Sequence, residues 1–368
     1  MKYFEPTNEK IHILGRTAMR SPLPLFWTGS GLEIRTNSGE LWFDVESGFS
    51  TREEWIRIEA EGCCIQRMMA PKGRSRICAF RGWPMDTVRT VRLIKEVQPM
   101  REDEEKYLLI HGVECDGELL ETLPKKHRIE FVGDSLSSGE GLGGYTGLLG
   151  AGSAMFGVNG HYALKTAEHF DADYRILSQS GWGVYCSCYN DLIRVMPRYY
   201  EQVCGVLTGE HNESLGAFEK NDFRKWQPEV VVINLGSNDG FALVGESWTN
   251  PEDGRVYRQL SNPYGGVEEQ SALRFEKAVT DFLKKLRSLN PQAYLLWAYG
   301  MCEHIMVPYL QKAIARYREE TGDRKADFQI LPVNTDFWTG SSNHPGQITH
   351  GYAAQVLIER IERIFSEK

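Results

Sequence analysis

The sequence predicts an α/β protein: a three-layer α/β/α domain preceded by an antiparallel β-sandwich of jelly-roll-like character. Three observations lead there. Residues from about 10 to 120 alternate apolar and polar in short runs broken by Gly, Pro and Ser. From about 128 onward, apolar runs alternate with longer amphipathic stretches. Between them lies Glu121-Thr-Leu-Pro-Lys-Lys-His-Arg128, a polar segment containing proline, after which the period changes. With 368 residues and 41% hydrophobic content, the chain is long enough for two cores at ~100–200 residues each. The expected division is 1–124 and 125–368.

In the first part, Gly31-Leu-Glu-Ile-Arg-Thr, Glu40-Leu-Trp-Phe-Asp-Val and Trp55-Ile-Arg-Ile-Glu-Ala have the period of two that gives a strand one buried face. Val91-Arg-Leu-Ile-Lys-Glu-Val and Tyr107-Leu-Leu-Ile-His-Gly-Val-Glu-Cys add two more, and the frequent turn signals favour a sandwich.

In the second part, strands are expected near 128–132, 174–178, 229–235, 293–298 and 328–333, and helices near 160–170, 186–200, 268–289, 304–320 and 350–366. The helix near 268–289 is the clearest. Phe275, Ala278, Val279, Phe282, Leu283 and Leu286 fall at helical spacing against charged Glu276, Lys277, Lys284 and Lys285, and Asn290-Pro291 stops it. Such βα repetition implies a parallel sheet covered on both faces, with ligands collecting at the C-terminal ends of its strands.

Composition excludes several classes of function. The 42 basic residues are outnumbered by 50 acidic ones, and no Lys/Arg run interleaves with aromatics, so nucleic acid is not an expected partner. No run of ~18 apolar residues suggests a membrane span, and the N-terminus lacks the apolar stretch of a signal peptide. A cytoplasmic protein is expected, unless a leader has been removed. The eight cysteines read as reduced thiols in a chain large enough to need no disulfides. Neither Cys63-Cys64 nor Cys186-Ser-Cys188 has zinc-knuckle spacing, so no metal or cofactor is expected.

The chemistry concentrates in Arg128-Ile-Glu-Phe-Val-Gly-Asp-Ser-Leu-Ser-Ser-Gly139, where an apolar strand runs into a Gly-rich turn. Ser135 is thereby exposed on a rigid support. In isolation it would read as a helix N-cap, with Asp134 bracing the turn. As a nucleophile it needs a base and oxyanion donors. His344, in the polar loop Thr335-Asp-Phe-Trp-Thr-Gly-Ser-Ser-Asn-His-Pro-Gly346, is the candidate base. Gly181 in Ser178-Gln-Ser-Gly-Trp-Gly and Asn238 in Val230-Val-Val-Ile-Asn-Leu-Gly-Ser-Asn-Asp239 are candidate donors, joined by the Ser135 N–H itself. His350 is expected to be a helix-terminal or buried polar residue instead.

Gly133-Asp134-Ser135, Gly181, Gly236-Ser-Asn238-Asp239 and His344-Pro345 resemble, in order and spacing, the four signature blocks of the SGNH or GDSL hydrolase superfamily. One departure stands out. The acid that much of this superfamily carries three residues before its histidine is replaced by Ser341, and the nearest acid in sequence is Asp336. The expectation is a Ser-His dyad, the imidazole oriented by a backbone carbonyl.

Ile13-Leu-Gly-Arg-Thr, Phe26-Trp-Thr-Gly-Ser-Gly-Leu-Glu-Ile, Gly133-Asp-Ser-Leu-Ser-Ser-Gly-Glu-Gly and Asn343-His-Pro together are similar to carbohydrate esterase family 2. That resemblance covers nearly the whole chain. It implies a sandwich joined to a flavodoxin-like SGNH domain and the removal of acetyl groups from sugars, here from a small-molecule or oligosaccharide substrate. Trp182 and Trp338, near the motifs among small and polar neighbours, are candidates for stacking on a sugar ring. The alternatives are a lipase or thioesterase for longer acyl chains, and a non-catalytic carbohydrate-binding protein on a hydrolase fold. Oligomeric state and the role of the 240–267 insertion are not specified by the sequence.

Overall fold

The period-two segments form two antiparallel sheets. The computed structural model describes residues 1–150 and 152–367. One sheet orders Lys2–Phe4, Tyr107–Cys115, Leu41–Gly48 and Gly73–Phe80, with Leu23–Pro24 also on Tyr107–Cys115. The other orders Leu119–Leu120, Gly31–Thr36, Arg89–Lys95, Trp55–Ala60 and Cys63–Met69, with Ile11–Leu14 on Gly31–Thr36. Alternate residues from both sheets, among them Phe43, Val45 and Ile77 from the first and Leu32, Ile34, Ile56 and Ile58 from the second, share one apolar core. Each such side chain withdrawn from water contributes about 1.5–3 kcal/mol.

This first unit comprises Met1–Lys125 together with Gly150–Val158 and Glu201–Asn221. The last two segments fall within the stretch that sequence assigns to the second domain. They are tied in through their carbonyls: Trp27 Nε1 donates to Val203 O at 2.9 Å, Arg16 to Gln202 O at 3.1 Å, and Arg67 to Phe156 O at 2.9 Å.

The second unit, Lys126–Leu149, Asn159–Tyr200 and Asp222–Lys368, contains a parallel sheet. Its strands lie side by side as Ala172–Ser178, His127–Gly133, Val230–Asn234, Tyr294–Met301 and Ala326–Val333. Counted along the chain this is the order 2-1-3-4-5 of flavodoxin-like sheets. Val230–Asn234 is buried throughout, as a strand covered on both faces must be. Helix Tyr162–His169 packs with Gln347–Ser366, and Glu269–Leu289 with Val307–Thr321. Phe275, Val279, Phe282, Leu283 and Leu286 form the buried stripe of Glu269–Leu289. Glu276 departs from the expected polar face, since it is buried and bonded to Lys312 Nζ at 2.9 Å.

The helix expected near 186–200 does not form; only Met196–Tyr199 is helical. Its backbone turns back on itself instead: the Ser187 N–H bonds Asp191 O at 2.9 Å, and Asn190 takes the left-handed φ +61°. Asp239 accepts the N–H groups of Val184, Tyr185 and Cys186 at 2.8–3.0 Å, and the Ser187 hydroxyl accepts those of Tyr189 and Asp191 at 3.1 and 3.2 Å. A local serine hydroxyl that takes these N–H groups competes with the helical turn. Among the described residues, no helix is long and apolar enough to cross a membrane.

Candidate active site

Three neighbouring strands of the parallel sheet end at one rim. Ser135 follows His127–Gly133 by two residues, Gly181 follows Ala172–Ser178 by three, and Asn238 follows Val230–Asn234 by four. The first and third of these strands flank the point where the strand order reverses, where open α/β sheets bind ligands. His344 reaches the same rim from the loop after the last strand, and its Nε2 lies 3.0 Å from Ser135 Oγ. The two groups come from positions 209 residues apart.

Asp134 caps the short helix Ser135–Ser138, its carboxylate accepting the Leu136 N–H at 3.1 Å. As the first residue of that helix, Ser135 has a backbone N–H with no acceptor inside the turn. Gly181 adopts φ +79°, a conformation glycine takes without strain, and its N–H has no acceptor among the described residues. Ser135, Gly181, Asn238 and His344 line one cavity of about 300 Å³. The Asn238 amide already donates to Trp182 O at 3.0 Å and Asp134 Oδ2 at 3.2 Å. It would have to exchange one of these bonds to serve an oxyanion.

The imidazole is oriented from behind by a neutral group, with its Nδ1 2.8 Å from Ser342 O. That carbonyl is aimed by two non-glycine residues in left-handed conformations, Ser342 at φ +55° and Asn343 at φ +54°, of the kind that persist where a site demands them. Asp336 is exposed in the turn Asp336–Trp338 and makes no bond to His344 among the described residues. Behind the site, His350 is fully buried and accepts the Tyr162 N–H on Nδ1 at 3.2 Å, and burial holds its pKa well below the usual imidazole range.

Of the two tryptophans expected to stack on a sugar, Trp182 requires correction. Trp182 is 2% exposed with its indole packed 5.1 Å from Tyr199, so it offers no face to a ligand. Trp338 lies against Tyr352, 5.2 Å between ring centres, and is not part of the cavity lining. The aromatic ring that does line the cavity is Phe241, half exposed. Sequence reasoning also missed Glu140, Cys188 and Cys302 in the lining. Glu140 stood inside the quoted Gly-Glu-Gly, but its partners there lie far away in the sequence.

The electrostatics are those of crowded carboxyls. Burial pushes Asp134 up to about 7, with the carboxylates of Asp239 and Glu140 adding to the rise. Burial likewise pushes Asp239 up to about 6, against three backbone N–H bonds. The Cys302 thiol is pushed up to about 12 by burial, which leaves it a poor nucleophile. A hydroxyl hydrogen-bonded to an oriented imidazole beside unspent N–H groups is an arrangement suited to acyl transfer.

Comparison with known proteins follows the same lines. No protein-family model matches the chain. Over 126 residues it is 31% identical to an acetylxylan esterase/glucomannan deacetylase of Cellvibrio japonicus, a match spanning 32% of this chain and 31% of that protein. Its fold superimposes on an acetyl xylan esterase from the rumen bacterium Butyrivibrio proteoclasticus with a TM-score of 0.97 and 37% identity, covering 99% of this chain and 98% of the other. A family two carbohydrate esterase from Clostridium thermocellum, solved in complex with cellohexaose, gives a TM-score of 0.79 at 20% identity over 97% of this chain and 99% of its own. At that identity the likeness is one of fold.

Proposed function

Because this chain belongs to carbohydrate esterase family 2, we propose that it is a serine esterase that removes acetyl groups from acetylated sugars or oligosaccharides. The observation that carries the reading is the 3.0 Å contact between Ser135 Oγ and His344 Nε2 in a cavity shared with Gly181 and Asn238. Ser135 Oγ attacks the ester carbonyl as His344 Nε2 takes its proton. The carbonyl electrons move onto oxygen, which is met by the N–H groups of Ser135 and Gly181 and, once it releases one internal bond, by the Asn238 amide. His344 then gives the proton to the departing sugar oxygen. Water, deprotonated by the same nitrogen, attacks the acyl-serine and releases acetate. The Ser342 carbonyl keeps the proton of His344 on Nδ1, so that Nε2 presents its lone pair.

The lining supports a short acyl group. A cavity of about 300 Å³ has room for an acetyl and part of an alcohol, and lies at the lower end of the ~300–1,000 Å³ typical of ligand sites. Turnover of p-nitrophenyl esters should fall from acetate to octanoate; a maximum at octanoate would favour the long-chain reading instead. The central test is labelling by an organophosphate, expected to be stoichiometric and confined to Ser135, together with acetate release from a panel of acetylated oligosaccharides. Full activity in Ser135→Ala would end this account, and so would a chain that binds these sugars but releases no acetate.

A further inference from the structure

The side of His344 that in a triad faces an acid here faces a neutral carbonyl, yet a carboxylate does stand beside the ring. Glu140 Oε2 lies 3.7 Å from Nε2, the nitrogen that also meets Ser135 Oγ. It is held there from two directions. Ser180, the residue before Gly181, donates its hydroxyl to Oε2 at 2.7 Å, and Ser342 donates to Oε1 at 2.9 Å. The turn that carries Glu140 also presses against the histidine: a Cβ on Gly141 would come within 2.8 Å of His344 Cβ, and the Ser341 N–H bonds Gly141 O at 3.2 Å. One carboxylate thus ties together the segment of the proposed oxyanion glycine and the loop of the proposed base.

We propose that Glu140 is the positioning residue that stands in for the absent triad acid, acting from the Nε2 side. When the Ser135 proton reaches Nε2, the imidazolium forms within reach of a fixed negative charge. That charge stabilises the cation as it forms and holds the ring toward Ser135. No atom is transferred to Glu140; the proton goes from Ser135 Oγ to His344 Nε2 and on to the leaving oxygen. This inference rests on the esterase reading above.

Other titratable groups around His344 are His350 behind it, the Cys188 and Cys302 thiols across the cavity, and Asp134, whose carboxyl Glu140 itself helps to push up. The test therefore reads a pH profile as well as a rate. Glu140→Gln keeps the shape and removes the charge. It should lower kcat by about 10–100-fold, leave KM within about threefold, and move the acidic limb of kcat/KM to lower pH, since a nearby opposite charge favours a protonated imidazole. The same displacement should appear in an Asp134→Asn background, where Asp134 no longer titrates. Glu140→Asp should keep the limb within about 0.3 unit of wild type, because the charge remains. Formate should restore part of the rate lost in Glu140→Ala.

A limb that stays in place in Glu140→Gln overturns the proposal, as does one that moves equally in Glu140→Asp. If Glu140→Gln does not fold, the Asp variant and formate rescue carry the test: a limb displaced downward in the former, or no rescue in the latter, overturns it. Organophosphate labelling of the wild-type chain keeps the two readings apart. Absence of label at Ser135 sinks the esterase itself, whereas normal labelling with an unmoved limb sinks only the role of Glu140.

Discussion

Asp103 in the first unit and Asp134 in the second are both fully buried carboxylates that gather hydrogen-bond donors, and the fold drives them in opposite directions. Burial alone would raise both. Around Asp103, the N–H groups of Ser50, Thr51 and Arg52 and the Ser50 hydroxyl donate at 2.7–3.0 Å and outweigh burial, holding the carboxyl at about 2. Asp134 receives one backbone N–H and one long bond from Asn238, beside the negative charges of Asp239 and Glu140, and is pushed up to about 7. The difference shows where the chain spends its donors. In the first unit they are spent on holding a loop; at the sheet rim the Gly181 N–H has no acceptor among the described residues and the Asn238 amide is engaged only at 3.0–3.2 Å.

If that contrast is right, removing a donor from the rim should cost activity more than stability. Asn238→Ala should lower kcat by about 10²–10³-fold, the usual consequence of losing one oxyanion donor, with a smaller fall in Tm. A variant that melts early but turns over normally per folded molecule would break the contrast at its strongest point.

Asp103→Asn is the converse and the next largest effect. It abolishes a charge that accepts several N–H bonds, and hydrogen bonds to charged groups are worth about 1.5–3 kcal/mol each, so a net loss of about 2–3 kcal/mol of stability is expected. Kinetic constants of the folded fraction should stay within about twofold, because Asp103 is not among the residues that line the cavity. Urea unfolding followed by esterase assay checks both halves.

The pH dependence of stability sharpens the comparison by sign. The Asp103 carboxyl lies below its unfolded value of about 3.9, so the stability it lends is complete above about pH 4 and is lost as pH falls toward 2. Asp134 lies above that value: the folded state holds the proton more tightly, so its contribution is greatest below about pH 4 and declines as pH rises through about 7. Urea midpoints measured from about pH 3 to 8 should lose the acidic slope in Asp103→Asn and part of the neutral slope in Asp134→Asn. Identical profiles in wild type and Asp134→Asn would mean that Asp239 and Glu303, pushed by burial up to about 6 and about 7, carry the neutral slope instead.

Much of this architecture was legible in the sequence because its signals are local. Period-two runs such as Gly31–Thr36, the buried run Val230–Asn234 and the stripe of Glu269–Leu289 each announce themselves within a few residues. What escaped was long-range. Glu201–Asn221 joins the first unit through carbonyls, which every residue possesses, so its membership leaves no mark on residue type. The expected helix at 186–200 is interrupted by the turn at Ser187–Asp191, where Asn190 is left-handed, while the backbone just before it is held by Asp239, 53–55 residues further on. Glu140 could be quoted but not assigned, since its partners Ser180 and Ser342 lie 40 and 202 residues away. Trp182 misled because small neighbours in sequence do not mean open space: it sits beside two glycines and is nonetheless buried.

The smallest expected effect is the one on which the description of the base turns. Asp336 is the nearest acid preceding His344 in sequence, and a conventional triad would need it at Nδ1. That position is already occupied by Ser342 O at 2.8 Å, presented by two residues in left-handed conformations. Asp336 itself is exposed. Asp336→Ala should therefore leave kcat/KM within about twofold, as for other exposed substitutions. A collapse as deep as that of His344→Ala would mean that the acid moves onto the ring during turnover, and the backbone carbonyl would then be a resting partner and not the working one.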